Sequence, residues 1–333
     1  MEISVFINSR AGRADRELIE KAVRTALFRC KLRFLTPTSI PELQANVLEE
    51  AKTADALMIC GGDGTLNAAL QPLLSARETF ERFPTICPLP VGTANDFAQE
   101  LGIGHRIERA ARLVLEGEIQ DVDVLQVTSG NNEAFMLTNG GLGVPAETAD
   151  LVNRFRKWLV ETSECDDVKA HWRPVLQLGK HAVKKAGSRI YELTLAGKLT
   201  QWSINDWKVE VEIPGQTILT THAPFIMINN QKVLGANYQA APLTANNDGT
   251  FNIMLVTALT LADQAKTLMK IRKGEIPSEM DCPRFEASEC TIRRRGVRPL
   301  TFFGDGEILH REVEEVHVRC LHRALPVFVR GAA

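Results

Sequence analysis

Two rhythms of apolar residues alternate along the first third of the chain. Strand-like apolar runs at Ile3 to Ile7, Leu32 to Leu35, Ala56 to Cys60 and, broken by prolines, Ile86 to Val91 are separated by stretches of helical spacing at Arg16 to Cys30, Ile40 to Lys52, Leu66 to Leu74 and Ile107 to Leu115. Short runs apolar on both faces suit strands covered on both sides, and helical stretches between them supply the covers. The pattern predicts βαβ units wound around a mostly parallel sheet. The last helical stretch stops before Gly117, a usual position for a glycine that ends a helix.

From about Val122 the texture changes. Strand-like runs at Val122 to Val127, Ala134 to Thr138, Ile190 to Leu195, Lys208 to Ile213, Phe225 to Asn229, Phe251 to Val256 and Pro299 to Phe303 predict a second, β-rich domain. Helical spacing interrupts them at Ala149 to Glu161 and Leu261 to Lys273, and Val313 to Leu321 alternates like a closing strand. No internal repeat or low-complexity segment is present.

Composition narrows the class. The chain has 333 residues, of which 44% are hydrophobic and 24% charged. That length favours two domains, and the balance matches folded soluble proteins. Its 39 Lys and Arg nearly balance 41 Asp and Glu, so no global field draws nucleic acid, and no nucleic-acid partner is expected. The amino terminus turns polar at Asn8 before a signal-peptide core develops, and no run approaches the roughly 18 apolar residues of a membrane span. A cytoplasmic protein is the expectation. The 7 cysteines form no CxxC pair, which fits reduced thiols better than a disulfide framework or a zinc site.

The chemistry concentrates in Gly61-Gly62-Asp63-Gly64-Thr65-Leu66-Asn67, placed between a strand-like run and a helical one. Glycines let backbone approach phosphate oxygens, and the first-turn amides and dipole of the following helix favour the negative charge. A tight βα turn needs the same glycines with no ligand. Asp63 tilts the balance, since a carboxylate in an anion-binding turn repels phosphate unless a cation compensates it, as in a Mg²⁺-nucleotide. No P-loop, protein-kinase or dinucleotide fingerprint occurs. Pro90-Val91-Gly92-Thr93-Ala94-Asn95-Asp96-Phe97-Ala98 repeats the plan of strand, Gly-Thr turn and helix. There, Asn95 or Asp96 can serve as a helix cap or meet a ligand.

Together, GGDGTLN and the downstream PVGTANDFA resemble the diacylglycerol kinase catalytic family, which also includes sphingosine kinases and bacterial lipid kinases; GGDGT alone is shared with NAD kinases and phosphofructokinases. The resemblance implies an α/β fold plus a β fold: an amino-terminal doubly wound nucleotide-binding domain, then a β-sandwich domain. On that basis residues 1–125 would bind ATP, 126–311 would bind the lipid, and 312–333 would return to the first domain. The family's ATP contacts fall on Gly62, Asp63, Gly64, Thr65, Leu66, Asn67, Ala68 and Thr93, and on Thr36 at the end of its strand; Asp96 would lie near the phosphates and Mg²⁺.

Near the carboxyl end, Phe302-Phe303-Gly304-Asp305-Gly306-Glu307-Ile308 resembles the family's DGE segment. The resemblance makes Asp305 the base for the acceptor hydroxyl, with Glu307 assisting; a two-residue hairpin turn is the plain alternative. Asn246-Asn247-Asp248-Gly249-Thr250-Phe251 resembles a turn that holds a structural Mg²⁺ through the Asp248 side chain and the carbonyls of Ala245 and Thr250. An ordinary β-turn is the alternative there.

Departures from the family are Asn8-Ser9-Arg10-Ala11-Gly12 for its usual Asn-Pro start, Ala68 where many relatives have Glu, and Gly235-Ala236-Asn237 for a glycine triplet. They bear on acceptor specificity. The function implied is an ATP-dependent lipid kinase acting on diacylglycerol or a related alcohol. Its partners would be the lipid and, peripherally, the membrane surface, with a homodimer left open. Leu151, Phe155, Trp158, Leu159 and Thr162, flanked by Arg154, Arg156 and Lys157, have the spacing of an interfacial helix, although a helix packed on the second domain reads the same way. Arg293-Arg294-Arg295 is a basic patch or a solvated face. The rival functions are an NAD kinase or other soluble-alcohol kinase, and an inactive lipid- or nucleotide-binding regulator.

Overall fold

The computed structural model describes residues 1–8, 15–92, 95–164, 207–233, 239–258 and 260–331. The predicted strand Ile190 to Leu195, Thr93, and the departures at Ser9 to Gly12 and Gly235 to Asn237 lie outside the described residues. The amino-terminal half contains β1 (Glu2–Ile7), α1 (Arg16–Ala26), β2 (Lys31–Leu35), α2 (Ile40–Glu50), β3 (Ala56–Gly61), α3 (Asp63–Ser75), β4 (Thr85–Pro90), α4 (Asp96–Glu100) and α5 (Ile107–Glu116). The four strands pair in parallel in the order β2-β1-β3-β4. Strand order therefore reverses between β1 and β3, and ligands of such sheets bind beyond the carboxyl ends at that reversal.

Local chemistry sets the element ends. Asp15 caps α1 by accepting from the Glu17 and Leu18 amides. That helix stops at Ala26, short of the Cys30 expected from spacing, because the chain must turn before the Lys31 amide bonds Met1 O at 3.1 Å and opens β2. Pro72 lies inside α3 and cannot donate to the carbonyl of Ala68. Gln44 Nε2 of α2 donates to that carbonyl instead, at 3.3 Å.

The second half continues through β5 (Glu118–Ser129), β6 (Asn132–Met136), β7 (Asn139–Gly143), α6 (Val144–Glu164), β8 (Lys208–Ile213), β9 (Thr217–His222), β10 (Phe225–Asn229) and β11 (Phe251–Val256). It ends with α7 (Leu261–Arg272), β12 (Arg284–Ala287), β13 (Glu289–Arg294), β14 (Leu300–Gly304), β15 (Glu307–Val313) and β16 (Glu315–Val329). Among the described residues an antiparallel sheet runs β12-β11-β10-β7-β14-β15. It packs face to face on the extension β16-β13-β8-β9 and on β5 and β6, which makes the sandwich.

Ile226 and Ile228 of β10 point into the sandwich core, while Phe225 and Met227 pack with Val144 and Ala149 of α6 and Ile271 of α7. Cover on both faces explains why the whole strand is apolar. In β5, Val122 and Val124 join the α/β core, and Leu125 and Val127 join the sandwich core. The boundary expected at 125/126 thus falls inside one strand. β16 starts at Glu315 and runs to Val329, well past the expected end at Leu321. His322 and Arg323 break its apolar alternation at a bulge. There Arg323 has φ 50° and the pairing with β5 shifts register. Beyond the bulge Leu325, Val327 and Phe328 enter the α/β core, and Val327 pairs with Ile86 of β4.

Candidate active site

The glycine-rich turn lies at the carboxyl end of β3, beside the end of β1, at the reversal of strand order. Gly62 is the N-cap of α3, so Asp63, Gly64 and Thr65 form its first turn. Thr65 and Leu66 amides both bond Gly62 O at 3.0 Å, leaving the earlier amides without an intrahelical partner. Glycine at 61 is required by packing, because a Cβ there would meet the Thr65 side chain at 2.5 Å. Thr65 Oγ1 accepts from Asn8 Nδ2 at 2.8 Å, which ties the turn to the end of β1. Gly64 adopts ordinary helical backbone and not a positive φ; its small size, not its conformational freedom, is what this position uses. Leu66 is buried, and Ala68 is partly buried against the same core.

The second turn abuts the first. A Cβ on Gly92 would lie 2.4 Å from the Gly62 Cα, so the two backbones meet in a contact only glycine permits. Asn95 sits at the N-cap position with φ 59°, yet its side chain does not cap α4; it accepts from Gly92 N and donates to Gly92 O. The cap comes from Asp63, whose carboxylate accepts from the amides of Asp96 at 3.1 Å and Phe97 at 3.3 Å. Asp63 is therefore partly compensated by α4. It also stands next to Asp96. Thr36 follows β2 at the same carboxyl edge, and its Oγ1 accepts from Arg16 Nη1 at 3.4 Å.

From the other end of the chain, Asp305 and Gly306 form the hairpin turn between β14 and β15. Their φ angles are 53° and 81°, as a type I′ turn requires. The Asp305 carboxylate is buried and faces inward. Its Oδ1 accepts from Thr138 N at 2.8 Å and Thr138 Oγ1 at 2.6 Å, its Oδ2 accepts from Asn67 Nδ2 at 2.7 Å, and Leu137 N donates to it at 3.0 Å. Burial pushes its pKa up, against the pull of those donors. Glu307 is exposed, and its Oε1 lies 3.4 Å from where a Cβ on Gly64 would be. The fold thus brings the glycine-rich turn and the DGE segment face to face from distant parts of the chain.

Two segments of the chain match models of known families. Residues 2–127 match the family model of the diacylglycerol kinase catalytic domain, and residues 177–329 match that of the YegS C-terminal NAD kinase beta sandwich-like domain. The chain is thus similar to diacylglycerol kinase catalytic domains over its first third and to YegS carboxyl-terminal domains over its second half. A Bacillus subtilis diacylglycerol kinase is 26% identical over 222 residues, 66% of this chain and 61% of that protein, so the match spans less than two thirds of that relative's length. A Yersinia pestis protein named probable lipid kinase YegS-like is 29% identical over 228 residues, covering 62% of this chain and 74% of that one. The solved structure of a diacylglycerol kinase from Bacillus anthracis shares the fold, with a TM-score of 0.68 at 18% identity over 99% of this chain and 97% of that one.

Within this fold, the Asp248 turn is a second polar centre. Asp248 Oδ1 accepts from the amide and hydroxyl of Thr250, both at 3.0 Å, and Gly249 has φ 84°. Carboxylate and carbonyl oxygens at Ala245, Asp248 and Thr250 are donors of the type a hard cation takes, so the donor set fits Mg²⁺. Sequence reasoning missed the residue that anchors this turn. Asp123, fully buried in β5, accepts from Gly249 N at 2.7 Å, Arg323 N at 2.7 Å and His322 Nδ1 at 2.9 Å. It also missed Thr138. The glycine-rich strand that follows, Asn139-Gly140-Gly141-Leu142-Gly143, signals close backbone approach and marked the neighbourhood.

α6 begins at Val144, ahead of the expected start at Ala149, because Val144 and Ala146 are buried against the sandwich. Leu151 and Phe155 are exposed, while the side chains of Arg156, Lys157, Trp158, Leu159 and Thr162 lie outside the described residues. The three consecutive arginines each have acidic partners: Arg293 pairs with Glu210, Glu212 and Glu315, Arg294 with Glu314, and Arg295 with Glu210. They form an ion-pair network on the sheet face, not an unpaired basic patch.

Proposed function

We propose that the protein is an ATP-dependent lipid kinase that transfers the γ-phosphoryl group to a hydroxyl of diacylglycerol or a related lipid alcohol. The observation that carries this reading is the approach of Glu307 to Gly64, which sets a carboxylate opposite the phosphate-binding end of α3. The gap left by the missing side chain at Gly64 is where a γ-phosphate and an acceptor hydroxyl would meet. Relatives named diacylglycerol kinase and probable lipid kinase supply the acceptor class.

The nucleotide phosphates would rest on the first-turn amides of α3, with Gly62, Asp63, Gly64 and Thr65 against them, Leu66, Asn67 and Ala68 behind, and Thr36, Thr93 and Asp96 around. Phosphoryl transfer asks chiefly for position and charge neutralisation. The acceptor oxygen bonds to the γ-phosphorus as the bond to ADP breaks, and its proton passes to a carboxylate. Of the two candidates, Glu307 is the one whose Oε1 lies beside Gly64, while the Asp305 carboxylate binds Thr138, Leu137 and Asn67. By its position over the first turn of α3, Glu307 is the proton acceptor in this mechanism, and Asp305 holds its turn. Asp63 and Asp96, joined by one hydrogen bond, would hold the nucleotide's Mg²⁺, which neutralises charge on the transferred group. Asp248 and the carbonyls of Ala245 and Thr250 would hold a second, structural Mg²⁺. Leu151 and Phe155, both exposed beside Arg154, would touch the membrane surface where the acceptor resides.

The test is incubation with labelled ATP and Mg²⁺, with diacylglycerol in mixed micelles or with NAD, followed by chromatographic separation. A labelled chloroform-soluble product is expected, at a rate that follows the lipid's surface concentration. Labelled NADP without such a product would move the protein to the soluble-alcohol kinases.

A further inference from the structure

Asn67 and Gln71 lie one turn apart on α3, on the side facing the sandwich. Gln71 pairs with the backbone of Phe135 in β6 as a strand would, its Nε2 donating to Phe135 O at 2.7 Å and its Oε1 accepting from Phe135 N at 2.9 Å. Among the described residues β6 pairs with β5 alone in its sheet, so this edge is open to a side chain. Nε2 also donates to Asn67 Oδ1 at 3.0 Å. Asn67 Nδ2 in turn donates to Phe135 O at 3.0 Å and to Asp305 Oδ2 at 2.7 Å. The Phe135 N–H can only donate, so it fixes which end of the Gln71 amide is oxygen; that fixes Asn67, and Asn67 presents an N–H to Asp305. Just beyond Phe135, the Leu137 and Thr138 amides donate to the same carboxylate.

We propose that Gln71 is a positioning residue, which acts through Asn67 and Phe135 to set the Asp305–Gly306 turn, and with it Glu307, at the correct height over the nucleotide turn. The proposal rests on the lipid-kinase reading for its kinetic consequence, not for its structural one. One rigid helix carries both ends of the device, since Gly64 and Gln71 are separated by about 10 Å at 1.5 Å per residue. Asn67, 6% exposed and with its whole amide engaged, belongs to this device and not to the nucleotide's surface. The carboxylate needs to be in place only when the phosphoryl group moves, so loss of the device should lower kcat and spare ATP binding.

Two measurements test it on the full chain. In the kinase assay, Gln71→Leu is expected to lower kcat by about 10-fold or more with KM for ATP within about 2-fold of wild type, a misplacement effect. Gln71→Glu, which keeps the acceptor for Phe135 N but loses both donations, should fall between. Unchanged kcat in folded Gln71→Leu, or a rise in KM for ATP matching the fall in kcat/KM, overturns the proposal. The second measurement needs no acceptor: hydrogen exchange at the Leu137 and Thr138 amides should speed up about 10-fold or more in Gln71→Leu, with β3 and β4 protected as in wild type. Equal protection at Leu137 and Thr138 overturns the proposal even if no lipid is phosphorylated, and a wild type inactive on every lipid would sink the function while this exchange result still decides the device. If Gln71→Leu does not fold, Gln71→Glu is read by the same two criteria.

Discussion

Asp248-Gly249 and Asp305-Gly306 are the same dipeptide at the entrance to a strand, and they hold opposite positions in the molecule. Asp248 is exposed and turns on itself, its carboxylate accepting from Thr250 two residues on. Asp305 is buried, its carboxylate reaching Thr138, Leu137 and Asn67, the last 238 positions away in sequence. In the first turn the buried acid is a different residue: Asp123 holds Gly249 from below and joins it to the bulge of β16. A local turn signal therefore shows where the chain reverses, and the burial of its carboxylate decides whether it organises anything beyond itself.

The contrast can be broken by mutation. Asp305→Ala should be the most severe change, since it leaves the Leu137 and Thr138 amides and Asn67 without their acceptor; unfolding titration should show a loss of about 3 kcal/mol or more. A loss below about 1 kcal/mol would mean that water replaces the carboxylate. Glu307→Gln should lower phosphoryl transfer by about 10²-fold while calorimetry finds ATP binding within a few-fold of wild type. If transfer survives in Glu307→Gln and is lost in a folded Asp305→Asn protein, the proton goes to Asp305. Asp123→Ala should cost about 2 kcal/mol through the uncapped Gly249 and Arg323 amides. Asp248→Ala should cost only about 0.5 kcal/mol in the absence of divalent cations, and a gain in wild-type thermal stability on adding Mg²⁺, lost in this variant, would mark the cation turn.

The smallest effect is a pH dependence. Burial raises the folded-state pKa of Asp305 above its ordinary value, so the folded protein holds that proton more tightly than the unfolded chain does. Stability from this source is present below the ordinary aspartate range and is lost as pH rises through the raised value. Asp305→Asn does not titrate, so wild type should gain stability relative to this variant as pH falls from about 7 to about 4. A difference that does not change with pH would show that the donors around Asp305 cancel the effect of burial.

Much of the fold was legible because its elements follow local rules. β8, β10 and β11 match their predicted bounds, since strands covered on one or both faces show it in period or in unbroken apolar runs. β16 was read too short because His322 and Arg323 interrupt its pattern, where the strand passes from one core to the other. The carboxylate partners were illegible for a related reason: Thr138 and Asp123 have no period and no motif of their own, and the motif that holds Asn67 does not link it to Asp305.

What the sequence by itself determined is the βαβ rhythm, the two glycine turns after strands, and the family that their spelling resembles. These are local properties, set by side-chain period and by backbone that needs glycine. Only the tertiary structure decided that Asp63 caps α4, that Gly62 touches Gly92, that Asp305 is enclosed while Glu307 faces Gly64, and that Gln71 completes the edge of β6. Those outcomes depend on which groups packing removes from water and then obliges to find a partner, and the partner is chosen by distance in space, which spacing along the chain does not encode.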